Sequence, residues 1–152
     1  MDIEHRLKEL GITLPAPPMP VAAYVPFTVS GKLVHIAGQL PLADGALTCS
    51  GHLGGNVSVE DGQAAARLCA INVVAQMKAA CGDLNRVQRC LKLNVFIAAT
   101  PDFTRQPEVA NGASELIGAI FGEAGKHARS SVGVASLPRG AAVEVDAVFE
   151  LK

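Results

Sequence analysis

The stretch "HARSSVGVASLPRGAAVEVDAVFE", His127 to Glu150, decides how this chain is read. Two apolar runs meet at Leu137-Pro138-Arg139-Gly140, and along each run apolar and polar residues alternate. A period of two marks a half-buried strand. The stretch therefore predicts a terminal β-hairpin, with Val132 opposite Val145 and Val134 opposite Val143. Gly133 then opposes Glu144 and Ser131 opposes Asp146. Opposed residues point to the same side of a sheet, and a slip by one would mix the apolar and polar faces. In this register Arg129, Ser131, Gly133, Glu144 and Asp146 share one face, and Gly133 leaves a gap beside Glu144.

Such a face has two readings. An arginine and two acids can simply decorate the solvated side of an antiparallel sheet. Alternatively, Arg129 anchors a carboxylate through the two parallel bonds that its planar fork offers. Glu144 then holds or deprotonates a water, provided its pKa is raised towards neutrality.

Composition narrows the choice of partner. A chain of 152 residues fits one domain, and at that size roughly 70% of the unfolded surface is buried without disulfides or a structural metal. The net charge of −1 leaves no basic excess for phosphates, and 4% aromatics supply few stacking platforms, so nucleic acid is disfavoured. Cys49, Cys69, Cys81 and Cys90 show neither metal-ligand spacing nor a secreted disulfide rhythm. They read as reduced, mostly buried thiols. No apolar signal region and no run of about 18 apolar residues occurs, so the expected location is the cytoplasm rather than a membrane.

Ahead of the hairpin, Ile3, Leu7 and Leu10 share a helical face, and "LPAPPMP" continues as an extended connector. This leader (1–19) precedes a single domain (20–152). "AAYVPFTVS" and "KLVHIAGQL" read as two strands turned at Ser30-Gly31, with Pro26 placing the first at an edge or bulge. Asp44-Gly45 marks a further tight turn. A helix starts at Ser58 and ends near Gly82, with Ala64, Leu68, Ile71, Ala75 and Lys78 on one face. "RCLKLNVFIA" alternates as a half-buried strand. A second helix begins around Pro107, turns Val109, Ala113, Leu116, Ile117 and Ile120 inward, and stops near Gly122. Helices on one face of one sheet make an α+β sandwich. The other face would then meet further subunits.

"HARSSVGVASLP" followed by "AVEVDAVFE" resembles the signature of the RidA/YjgF family, and "AAYVPFTVSGKLVHIAGQLP" resembles its opening hairpin. "GEAGKHARSSVG" resembles a subgroup described as endoribonucleases or translation inhibitors. The resemblance implies a chorismate-mutase-like fold and a homotrimer with clefts between subunits. It also implies hydrolysis of reactive 2-imino or enamine acids to 2-keto acids and ammonia, with no metal or organic cofactor. Residue by residue, Arg129 matches the arginine that clamps the substrate carboxylate, and Glu144 matches the acid that organises water. Tyr24 and Gly38 match pocket positions. Ser131 stands where the deaminase type has cysteine, so a backbone role can persist but a thiol role cannot. Asn111 is a poor positional match for the family's pocket asparagine. His127 reads as a solvated loop-end histidine or as an acid–base group.

Overall fold

The computed structural model describes residues 2–20 and 22–152; Met1 of the leader and Val21 lie outside them. Three helices and seven strands follow one another along the chain. They are α1 (Ile3–Glu9), β1 (Phe27–Ser30), β2 (Leu33–Gln39), β3 (Leu42–Ala43), β4 (Ala46–Leu47), α2 (Val59–Cys81), β5 (Val87–Ala98), α3 (Gln106–Phe121), β6 (Ala128–Val134) and β7 (Val143–Leu151). β3 and β4 form a small ribbon, turned at Asp44 (φ 52°) and Gly45 (φ 77°) as the Asp-Gly pair predicts.

The main sheet has the order β1-β2-β7-β5-β6. β5 and β6 run parallel, while the other neighbours are antiparallel. The fold is the expected α+β sandwich with a mixed sheet. The terminal hairpin, however, does not form. β5 lies between β6 and β7, so the two runs of the deciding stretch each pair with β5 and not with each other.

The reason lies in the connection. Parallel neighbours need a crossover, and α3 supplies it between β5 and β6. The chain must then pass the end of β5 to reach its other edge. The segment around Leu137-Pro138-Arg139-Gly140 makes that passage: Ala98 donates to the Ala142 carbonyl (2.9 Å) and Gly51 to that of Gly140 (3.0 Å). Alternation marks both runs as strands, but it is silent about which strand lies alongside. On β6 it also misassigns the inward face: Arg129 and Ser131 align with buried Leu93 and Val95, whereas Val132 is 45% exposed.

One sheet face packs on α2 and α3. Val34, Ile36, Leu93, Val95, Ile97, Val143, Val145 and Phe149 from the sheet meet Cys69, Val73, Met77, Val109, Ala113, Ile117 and Ile120 from the helices. The inward residues expected for α3 are all buried. The expected face of α2 is corrected: of its five residues only Ala75 is buried, and the core takes Ala65, Ala66, Cys69, Ala70, Val73 and Met77. Apolar residues fill most positions from Ala64 to Cys81, broken only at Arg67, Asn72, Gln76 and Lys78, so the period is a weak guide to phase. Small residues let the two long helices approach closely; a side chain at Gly112 would collide with the Gln63 carbonyl.

α1 lies over the helical layer. Ile3 and Leu7 are buried, and the Arg6 Nε donates to the Ala119 carbonyl of α3 at 2.8 Å. The early strand is shorter than expected: β1 begins at Phe27, after Pro26, and Tyr24 lies in a bend. Pro26 still accepts from the Ala37 N–H at 2.9 Å, so its segment runs beside the end of β2.

Candidate functional site

The expected polar face divides between the two sides of the sheet. Leu93 is aligned with Arg129 on β6 and with Ala147 on β7, so Arg129 sits on the helix side. Ser131, aligned with buried Val95, lies there too. Phe96 and Asn94 are aligned with Glu144 and Asp146, which project from the open face. Arg129 and Glu144 of one chain therefore occupy opposite faces, with β5 between their strands.

The open-face site is built around a bulge. Ile36 is aligned with Ala147 and Gln39 with Val145, which sets two residues, Ala37 and Gly38, against Asp146 alone. The Glu144 carboxylate lies directly over Gly38, where a Cβ would overlap Oε2 and stand 2.8 Å from Cδ. The glycine that makes room for Glu144 is thus Gly38, not Gly133. Gly133 instead lies under the Gln106 side chain on the helix side, with its Cβ position 3.1 Å from Nε2.

Half-burial raises the pKa of Glu144, and the charge of Asp146 raises it further. Burial also raises Asp146, although the Asn94 Nδ2 donates to its Oδ1 at 2.8 Å and opposes the shift. Two acids side by side on a partly buried face hold protons more tightly than free carboxyls. Tyr24, 51% exposed, lies two residues before Pro26, whose carbonyl accepts from Ala37 at the bulge; no hydrogen bond joins Tyr24 itself to Glu144 among the described residues.

The helix-side site is a hydrogen-bonded chain. Arg129 Nη1 donates to Asn111 Oδ1 (2.8 Å) and to Ser114 Oγ (3.1 Å), while Nη2 makes a long 3.4 Å contact with the Pro107 carbonyl. Ser114 Oγ lies 2.8 Å from His127 Nε2, and His127 Nδ1 lies 2.7 Å from the Gly125 carbonyl. A shallow cleft of about 330 Å³ opens along Ser114, Gly118, Gly125, Lys126, His127 and Arg129. Ser131 makes no side-chain hydrogen bond among the described residues. A larger cavity of about 560 Å³, lined by Cys49, Asp61 and Leu68, contains none of the expected site residues.

Two residues gain partners here. Asn111 accepts from Arg129, whatever its match to the family's asparagine. His127 is held by two hydrogen bonds rather than left to solvent. A signal for both was present: Asn111 and Ser114 are three apart on one helical face, and His127, just ahead of β6, is two residues from Arg129. Among the described residues, no three His, Cys, Asp or Glu side chains gather as a metal site.

The model of the YjgF/chorismate mutase-like, putative endoribonuclease family matches residues 4–150. The chain belongs to the RidA/YjgF family. Protein TCP17 of Trypanosoma cruzi is 56% identical over 150 residues, which cover 98% of this chain and 94% of that protein. A crystal structure of an Agrobacterium tumefaciens protein of unknown function superposes with a TM-score of 0.92 at 52% identity, covering 99% of this chain and 92% of that one. Escherichia coli TdcF, solved with bound serine, superposes with a TM-score of 0.66 at 25% identity, covering 90% and 94%. RidA/YjgF membership and the sandwich fold thus agree with the motifs at Arg129 and Glu144.

Proposed function

We propose that this RidA/YjgF protein hydrolyses reactive 2-imino or enamine acids to 2-keto acids and ammonia, in clefts shared by neighbouring subunits of a homotrimer. The observation that carries the reading is the state of Arg129. Asn111 and Ser114 take up Nη1, Nη2 makes only the long 3.4 Å contact with the Pro107 carbonyl, and among the described residues Nε has no partner. The Nε–Nη2 edge is left to receive a carboxylate through two parallel bonds. The serine bound to the E. coli neighbour is a small amino acid of the kind such an edge would hold.

The chemistry asks little of the protein. Glu144 accepts a proton from water as its oxygen adds to the imine carbon, and passes that proton to the imine nitrogen. Glu144 then takes the hydroxyl proton as the carbonyl forms and hands it to the departing amine, so the C–N bond breaks and ammonia leaves a 2-keto acid. Hydrolysis of an already electrophilic C=N gains most from orientation and one placed water. A carboxyl with a raised pKa, as at Glu144, is a better base than an ordinary one. Because Arg129 and Glu144 of one chain face opposite ways, the reading assigns the anchor to one subunit and the water-handling acid to a second. Gly38, Tyr24 and Ser131 complete the pocket walls.

An endoribonuclease has less support. The net charge is −1 and aromatics are 4%, so phosphate and base contacts are both scarce. The test couples an amino-acid oxidase to the protein and follows loss of several 2-imino acids, using wild type and Arg129→Lys. The lysine keeps the charge but loses the fork, so imine loss should slow by at least about tenfold. Wild-type rates in the variant would reduce Arg129 to surface decoration. No turnover by wild type, with a 2-keto acid still bound, would make the cleft a metabolite-binding site.

A further inference from the structure

Ser114 and His127 have no part in the chemistry above, yet their geometry fixes the state of its anchor. The Gly125 carbonyl can only accept, so the His127 Nδ1 lying 2.7 Å away carries the proton. In the neutral ring, Nε2 is then an acceptor, and the Ser114 hydroxyl 2.8 Å away must donate to it. That orientation turns the Ser114 lone pairs towards Arg129 Nη1, which donates to them at 3.1 Å. With the opposite tautomer, the serine would be free to point its proton at the guanidinium.

The start of the chain of bonds is rigid. Gly125 is buried, and its Cβ position is only 2.5 Å from the Ile117 carbonyl of α3, so the Gly125 backbone packs directly on that helix. Lys126, the neighbouring cation, is engaged by Glu123 at 2.8 Å. Gly118 has open space at its Cβ position, which leaves the cleft unobstructed beside Ser114.

We propose that Ser114 and His127 are positioning residues for Arg129. Together with Asn111 they hold Nη1 from behind, so that the Nε–Nη2 edge is presented preformed to a planar carboxylate. The inference rests on the reading of Arg129 as the carboxylate anchor. It adds a specificity rule: the pair selects ligands by their carboxylate and contributes nothing to recognition of the rest of the molecule. A guanidinium ordered in advance loses little freedom on binding, whereas one left to swing must be ordered by the ligand.

The test compares 2-oxobutanoate with its carboxamide, by calorimetry, on Ser114→Ala, Ser114→Thr, His127→Phe and His127→Gln. A charge-assisted hydrogen bond accounts for about tenfold in affinity. Ser114→Ala and His127→Phe should therefore weaken 2-oxobutanoate by about that factor and leave the carboxamide unchanged. The loss in turnover should fall mainly on KM. Ser114→Thr and His127→Gln, which keep a hydroxyl and an acceptor respectively, should recover most of it. Equal losses for both ligands, or wild-type affinity for 2-oxobutanoate in both Ser114→Ala and His127→Phe, would overturn the proposal.

A ligand-free readout separates this inference from the functional one. The Arg129 Nε–H resonance should be sharp in wild type and broadened in Ser114→Ala. A resonance that depends on Ser114, beside an Arg129→Lys variant with normal ligand affinity, would sink the anchor reading while the positioning contact stands. A resonance indifferent to Ser114 would sink the positioning role itself.

Discussion

The carboxylate of Glu144 and any side chain at residue 38 would occupy the same space. The atom in the way is the far end of a flexible side chain, so an alanine at position 38 can be accommodated by rotating Glu144 aside. Gly38→Ala should therefore melt within a few degrees of wild type, a change of about 1 kcal/mol. Imine turnover should fall by more than about tenfold, because the water-handling carboxylate is displaced. Thermal unfolding and the coupled assay on one preparation check both halves. Undiminished turnover would mean that Glu144 acts from another rotamer or not at all.

Glu144→Gln should slow hydrolysis by about 100- to 10,000-fold, the usual weight of a general base. It should also stabilise the fold at neutral pH. Both Glu144 and Asp146 have pKa values raised by burial, and the charge of Asp146 lifts Glu144 further. A carboxyl with a raised folded pKa supports the fold while protonated. That support is complete below the unfolded value and is lost as pH rises through the folded value. Removing the charge should raise Tm by about 1–3 °C near pH 7, with the gain vanishing towards about pH 4. A Tm difference that grows on acidification has the wrong sign.

Arg129→Ala and Glu144→Gln should each be inactive alone and active when mixed. If a cleft takes its anchor from one subunit and its acid from another, randomly mixed trimers contain intact clefts. In an equal mixture about a quarter of the clefts combine one good arginine with one good glutamate. The experiment refolds the two variants together and measures imine loss. Light scattering should report a trimer throughout. A mixture as inactive as its parts, from chains shown to exchange, would place both groups' work within single subunits or deny it altogether.

Gly112→Ala reports on the fold rather than on the site. In an exposed helix this change normally stabilises by up to about 1 kcal/mol. Here the new Cβ would meet the Gln63 carbonyl and stand 2.8 Å from its carbon, and backbone cannot turn aside. The variant should lose about 2 kcal/mol or more, as α2 and α3 are forced apart. Denaturant unfolding with an unchanged slope is the measurement. Neutrality would mean that the helices slide without cost.

What the sequence alone determined was local. Period-two runs marked β5, β6 and β7, the buried stripe of α3 was readable from Val109 to Ile120, and Asp44-Gly45 was recognisable as a turn. Each depends on residues close together in the chain, where sterics and burial act directly. The motifs around Arg129 and Glu144 also carried the family, so membership was legible before the surroundings of either residue were.

Only the tertiary structure decided who faces whom. Arg129 and Glu144 share a face only if the two runs pair with each other, yet β5 inserts between them, and Arg129 aligns with Leu93 whereas Glu144 aligns with Phe96, which points the opposite way. Which strand fills the space between two others depends on how α3 crosses the sheet. That is a matter of packing over the whole domain, and no alternation pattern encodes it. The same holds for Gly38 beneath Glu144 and for Asn111, Ser114 and His127 around Arg129. These groups come from segments apart in the sequence: Gly38 meets Glu144 because β2 pairs with β7, and the others meet because the opposite sheet face is buried against the helices.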